Sequence, residues 1–135
     1  MRIIVCVDEK GGMSFGGRRQ SRDRVVKDRI LELTADANLW MNRDSAGQFE
    51  TLENIHVAED FLDLALPGDW CFVETQDLSA WAEQIHEIVI YRWNRHYPSD
   101  LKFPEHLFAS RWQLESRCEF SGYSHETITQ EVYRL

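Results

Sequence analysis

Ile3-Ile4-Val5-Cys6-Val7 is an unbroken apolar run near the start of the chain. A strand with one face in water alternates apolar and polar residues, so a run with no polar position needs cover on both faces. That requirement selects a sheet with layers packed on each side, the arrangement of parallel α/β architectures. The run stops at Asp8, and Asp8-Glu9-Lys10-Gly11-Gly12 marks a turn.

Beyond the turn a polar, glycine-rich loop is expected to run to about Gln20. Ser21 reads as the cap of the next helix, with Asp23 in its first turn and Val26, Ile30 and Leu33 at helical spacing. Residues 37 to 41 read as a second buried strand, and 42 to 53 carry no structural signal. Asn54 to Val57 fits a short strand, Glu59 to Leu66 a helix ended by Pro67-Gly68, and Trp70 to Val73 a third buried strand. Leu78, Trp81, Ala82 and Ile85 share a helix face, and His86 to Trp93 is rich in β-branched and aromatic residues, as a fourth strand would be. Two long strands are expected last, Arg111 to Phe120 and Thr127 to Tyr133, joined around Ser121-Gly122-Tyr123. Tyr123, His125 and Glu126 at that junction read either as the lining of a pocket or, as is usual for such loop residues, as solvated. Strand–helix units followed by an antiparallel pair imply one α/β domain over residues 1 to 135, a mixed sheet with helices on its faces. The five Trp fall mostly in these elements and read as packing residues.

Composition excludes several function classes. A net charge of -8 opposes generic nucleic-acid binding. Arg18, Arg19, Arg22, Arg24, Lys27 and Arg29 nevertheless crowd into one short segment, which reads either as a solvated helix face or as a local anion site. No apolar stretch approaches the roughly 20 residues that span a bilayer. The run behind Arg2 lacks the length and cleavage site of a signal peptide. Cys6, Cys71 and Cys118 lie far apart with no CxxC pairing, as reduced thiols do, so a cytoplasmic protein without a membrane partner is expected. His56, His86, His96, His106 and His125 have no metal-ligand spacing, which implies no metal and no metallo-β-lactamase-type nuclease. With neither a GxSxG elbow nor a P-loop, the acyl hydrolase and ATPase readings fail on their motifs.

The ordered set of segments resembles the dihydrofolate reductase family. Asp69-Trp-Cys-Phe-Val73 is similar to the strand that leads into that family's cofactor-binding helix, and residues 78 to 93 to the helix and strand after it. Pro98-Ser-Asp-Leu-Lys-Phe-Pro104 is similar to the family's acidic-residue-then-Phe-Pro segment. Trp112 and Glu131-Val-Tyr-Arg134 stand where its last two strands do. Ile3 to Asp8, Gly12-Met13 and Met41-Asn-Arg-Asp-Ser45 extend the likeness toward the N-terminus. The resemblance implies a dihydrofolate reductase-like mixed sheet with flanking helices and a C-terminal antiparallel strand pair.

It also implies site residues. Asp23 is the nearest counterpart of the family's acid that assists proton delivery to the pterin; the other reading is a plain first-turn helix acid. Arg43 and Ser45 match positions that hold the cofactor phosphate, or else are structural. Thr75, with Glu74, replaces the family's Gly-Gly pair. A glycine lets backbone approach phosphates at a helix N-terminus, whereas the Glu74 carboxylate would repel them. Arg18-Arg19-Gln20 replaces the family's Leu-Pro-Trp. The resulting expectation is a protein that is not an active dihydrofolate reductase and needs no cofactor. Its cleft would be repurposed for a small anionic ligand such as a nucleotide, held by Arg18, Arg19 and Arg22. The alternative is a divergent reductase of a pterin or related heterocycle that uses NADPH.

Overall fold

The computed structural model describes all 135 residues. The apolar run becomes β1 (Arg2–Val7), the middle strand of a seven-stranded sheet. Its side chains alternate between two cores. Ile3, Val5 and Val7 join one, with Phe61, Leu78 and Phe108; Ile4 joins the other, with Val26, Ile30 and Tyr91. All four are at most 1% exposed, which explains why no polar residue is tolerated there.

Next come β2 (Gly12–Phe15), β3 (Arg18–Arg19), α1 (Arg24–Leu33), β4 (Leu39–Met41), α2 (Arg43–Ala46), β5 (Ile55–Val57), α3 (Phe61–Leu64) and β6 (Trp70–Phe72). A 3-10 helix, Leu78–Gln84, leads to β7 (Glu87–Arg92), and β8 (Leu101–Lys102), β9 (Gln113–Phe120) and β10 (Ile128–Arg134) complete the chain. The large sheet runs β5-β4-β6-β1-β7-β10-β9. Ile3 pairs in parallel with Cys71 of β6 and with Ile88 of β7, whereas β10 lies antiparallel to β7 and to β9. β9 is therefore an edge, exposed on nearly every residue, and its ladder with β10 is bulged near Val132 and Tyr133. This is the mixed sheet with flanking helices and an antiparallel C-terminal pair that the sequence predicts. No helix is long and apolar enough to cross a membrane.

The loop expected between Asp8 and Gln20 contains a second sheet, β3-β2-β8. Gly16 and Gly17 take φ of 59° and 74°, the left-handed values a tight hairpin between Phe15 and Arg18 needs. Gly12 lies so close to Ser99 that an added Cβ would fall 2.5 Å from the Ser99 Cβ. The structureless stretch 42 to 53 contains α2, capped by Asn42 accepting from the Ser45 N–H at 2.8 Å. The helix expected over 59 to 66 shrinks to α3, a single turn, because the backbone turns extended at Ala65 (φ -64°, ψ 137°). The cap of α1 is Asp23, not Ser21: its carboxylate accepts from the Val25 N–H at 2.9 Å.

Candidate functional site

Capping α1 is one of several tasks of Asp23. Oδ1 accepts from the backbone N–H of Val25 (2.9 Å) and Tyr123 (3.0 Å), and Oδ2 from the N–H of Ser124 (2.8 Å). The Ser124 hydroxyl donates to Oδ2 as well (3.1 Å), and His125 Nδ1 lies 3.0 Å from it. Gly122 makes this approach possible, since a Cβ there would fall 2.7 Å from Oδ2. The carboxylate has no exposed surface, and burial by itself would raise its pKa. The Tyr123 N–H, His125, and the Ser124 and Val25 N–H groups outweigh that and hold it well below the usual carboxylate range. Every lone-pair direction of Asp23 is thus engaged inside the fold, and none faces a substrate.

His125, expected in solvent, is 3% exposed. Trp93 stacks on its ring with centroids 4.5 Å apart. Its Nε2 faces the Tyr97 hydroxyl at 2.9 Å and the Ser21 hydroxyl at 3.2 Å. The histidine is distant in sequence from each of these partners, so no local spacing exposes the cluster. Gly122, which permits the chain to close over Asp23, was its one visible sign.

Beside this knot lies the cleft flanked by the C-terminal ends of β1 and β6 and by α1. Cys6, Val26, Ile30, Phe49, Phe72 and Trp93 line it, and its free volume is only about 10 Å³. Glu74 closes its far wall. The Glu74 carboxylate, 7% exposed, accepts from Ser45 Oγ (2.7 Å), Gln48 Nε2 (2.9 Å) and Arg19 Nε (3.1 Å). Burial raises its pKa, and Ser45 and Arg19 only partly offset the rise. Arg19 also donates to Asp44 Oδ2 at 2.8 Å.

The basic segment therefore divides. Arg19 is spent on two carboxylates, Arg18 is exposed on β3, and Arg22, Arg24 and Lys27 line an open groove of about 430 Å³ with Gln48, Tyr123 and Ser124. No carboxylate lies within ion-pair distance of those three cations; the Arg24 guanidinium rests over the Tyr123 ring at 4.5 Å. Of the three arginines expected to bind an anion, only Arg22 is at this groove. Among the residues expected to hold a cofactor, Arg43 is exposed on α2, Ser45 is committed to Glu74, and Thr75 is half-buried. No group of three or more His, Cys, Asp or Glu side chains is placed to hold a metal ion.

No protein-family model matches the chain, and no curated protein matches its sequence. Among solved structures, dihydrofolate reductase from Enterococcus faecalis, in complex with NADP(H) and RAB-propyl, aligns with 98% of this chain and 94% of its own at a TM-score of 0.70 and 14% identity. The chain has the dihydrofolate reductase fold. An identity of 14% carries that fold and nothing finer. The dihydrofolate reductase-like sheet here does not fit a bound NADPH as it stands. The buried Glu74 carboxylate occupies the turn after β6 where the resemblance leads one to expect glycines, and it already takes the hydroxyl of Ser45.

Proposed function

We propose that this protein binds a small anionic molecule, with a nucleotide as the best-suited ligand, on a dihydrofolate reductase scaffold that no longer works as that reductase. The observation that carries the reading is the groove of about 430 Å³ with Arg22, Arg24 and Lys27 free of carboxylate partners on a chain of net charge -8. Unpaired cations converging on one concavity create a local positive potential where the rest of the surface repels anions. The volume suits a nucleotide-sized molecule. Phosphate oxygens would take the guanidinium of Arg22 and the Lys27 ammonium. The exposed Tyr123 ring, already carrying Arg24, offers a face for a base. Nucleic acid suits the groove less than a small molecule, because the positive region is confined to this one segment.

Thermal unfolding with a panel of nucleotides tests this. A nucleotide at about 100 times its dissociation constant stabilises the fold by roughly 2.7 kcal/mol. The shift disappears in Arg22→Ala with Lys27→Ala and survives Arg18→Ala. Silence with every nucleotide and with inorganic phosphate overturns the reading.

The second reading is a divergent NADPH-dependent reductase of a pterin or related heterocycle. In its favour is the fold shared with an enzyme solved with NADP(H). Arg43, Ser45 and Thr75 would hold the cofactor, and Asp23 would stand near the heterocycle. It requires Glu74 to leave its three donors and Asp23 to turn outward. An NADPH-induced stabilisation that is lost in Arg43→Ala selects it over the first.

A further inference from the structure

Three polar side chains around α1 stand in a familiar chemical order. Asp23 Oδ2 lies 3.0 Å from His125 Nδ1, and His125 Nε2 lies 3.2 Å from Ser21 Oγ. Asp23 and His125 are essentially shut off from solvent, whereas Ser21 is half-buried. Three backbone N–H groups, Trp93 stacking and the Ser124 hydroxyl fix the carboxylate and the ring. A fourth group completes the set: the Tyr97 hydroxyl donates to Ser21 Oγ at 3.4 Å and lies 2.9 Å from Nε2. Neither the fold nor anion binding requires a hydroxyl at position 21, because Asp23 supplies the helix cap.

We propose that Ser21, His125 and Asp23 form a Ser–His–Asp site that cleaves esters bearing a phosphate or carboxylate group. No GxSxG elbow surrounds Ser21, and a triad is defined by geometry and roles, not by sequence context. With Nδ1–H donated to Asp23, Nε2 accepts the Ser21 proton as Oγ bonds to the ester carbonyl carbon. The carbonyl π electrons move onto oxygen, and the Tyr97 hydroxyl, half-buried beside Ser21, donates to that alkoxide. Collapse breaks the bond to the alcohol oxygen, which takes the proton from Nε2. Water, deprotonated by the same nitrogen, adds to the acyl carbon of acyl-Ser21; the C–Oγ bond then breaks, Ser21 Oγ recovers the proton from Nε2, and the acid leaves. Ester and water become acid and alcohol with no redox partner. The cavity beside Ser21, about 10 Å³, is no larger than one water. Arg22, Asp23, Lys27 and Gln48 line both that cavity and the cationic groove, so an anionic substituent on the alcohol would sit at Arg22 and Lys27. The anionic part of the substrate class rests on the groove reading; the nucleophile does not.

The intact protein is incubated with a small neutral fluorophosphonate, and its mass is measured. The expected result is a single adduct on the peptide containing Ser21, absent in Ser21→Ala, a change at a half-buried hydroxyl that leaves the fold intact. Asp23 acts through His125 as a positioning residue. In Asp23→Asn that still unfolds cooperatively, the limiting labelling rate falls by about 10²-fold or more, while the probe concentration for half that rate is unchanged. No adduct, or one that persists in Ser21→Ala, overturns the proposal. Hydrolysis of p-nitrophenyl acetate against a phosphorylated phenyl acetate separates the two claims. Equal rates for both esters, with labelling intact, discard the anionic substrate and keep the nucleophile.

Discussion

Replacing Asp23 with Asn keeps the shape of the side chain and removes an acceptor. Oδ1 serves two backbone N–H groups and Oδ2 serves one, together with a hydroxyl and the imidazole. Whichever way the amide turns, its NH₂ points at a backbone N–H. The Ser124 hydroxyl can rotate and His125 can change tautomer, but the backbone cannot adjust. At least one buried N–H is left without a partner, at about 1–3 kcal/mol, and hydrogen bonds to a charged acceptor are lost as well, so about 3 kcal/mol is expected in total. For a chain of this length that is roughly a 10 °C fall in the melting midpoint. The pH dependence adds a second readout. The folded carboxyl titrates below its unfolded value of about 3.9, so its contribution is complete above that value and is lost as pH falls through it toward the folded pKa. Urea midpoints of wild type and Asp23→Asn should stay a constant distance apart from pH 8 to about pH 5 and converge below about pH 4. A difference under about 1 kcal/mol at pH 7, or one that is unchanged at pH 3, refutes the hydrogen-bonding account of Asp23.

Gly122→Ala places a methyl 2.7 Å from both Asp23 Oδ2 and Ile128 Cδ1, and urea unfolding should show a loss of about 1–3 kcal/mol. Glu74→Gln removes the charge that Ser45, Gln48 and Arg19 converge on; it should destabilise by about 1–3 kcal/mol in the same assay, without creating an NADPH-dependent shift. Thiol titration of the native protein should find one fast cysteine. Cys118 is exposed, whereas burial raises Cys71 to about 12 and takes Cys6 well above its ordinary value.

The parts of this fold readable in the sequence are those in which each residue's own character decides its place. Ile3 to Val7, Trp70 to Phe72 and Ile88 to Tyr91 have no polar position to give to water, so any register that exposes them fails. The hairpin at Gly16 and Gly17 is legible only if the pair is read as a turn inside a strand pair. The flanking residues, Phe15 and Arg18, are exposed and show no apolar alternation. α2 is one turn capped by Asn42, too short for any periodicity to register. At the site, the basic segment was visible as a cluster, but not its division. That depends on Glu74 and Asp44, which reach Arg19 from distant parts of the chain. His125 was hidden for the same reason. A loop histidine is normally solvated, and only the fold brings Asp23, Trp93 and Tyr97 around this one.

The position of β1 in the sheet sets a timetable for synthesis. Ile3 lies between Cys71 and Ile88, so this strand has no neighbour in the sheet until a long stretch of later chain exists. At about 5–20 residues per second, the ribosome leaves that apolar run waiting for roughly 4–17 s before β7 emerges. Until β6 emerges it is an open ribbon of mostly β-branched side chains, and its β7 edge stays open longer. Such a ribbon recruits holding chaperones or other nascent chains, and a polar substitution in it would slow maturation of the central sheet even where the finished protein tolerated it.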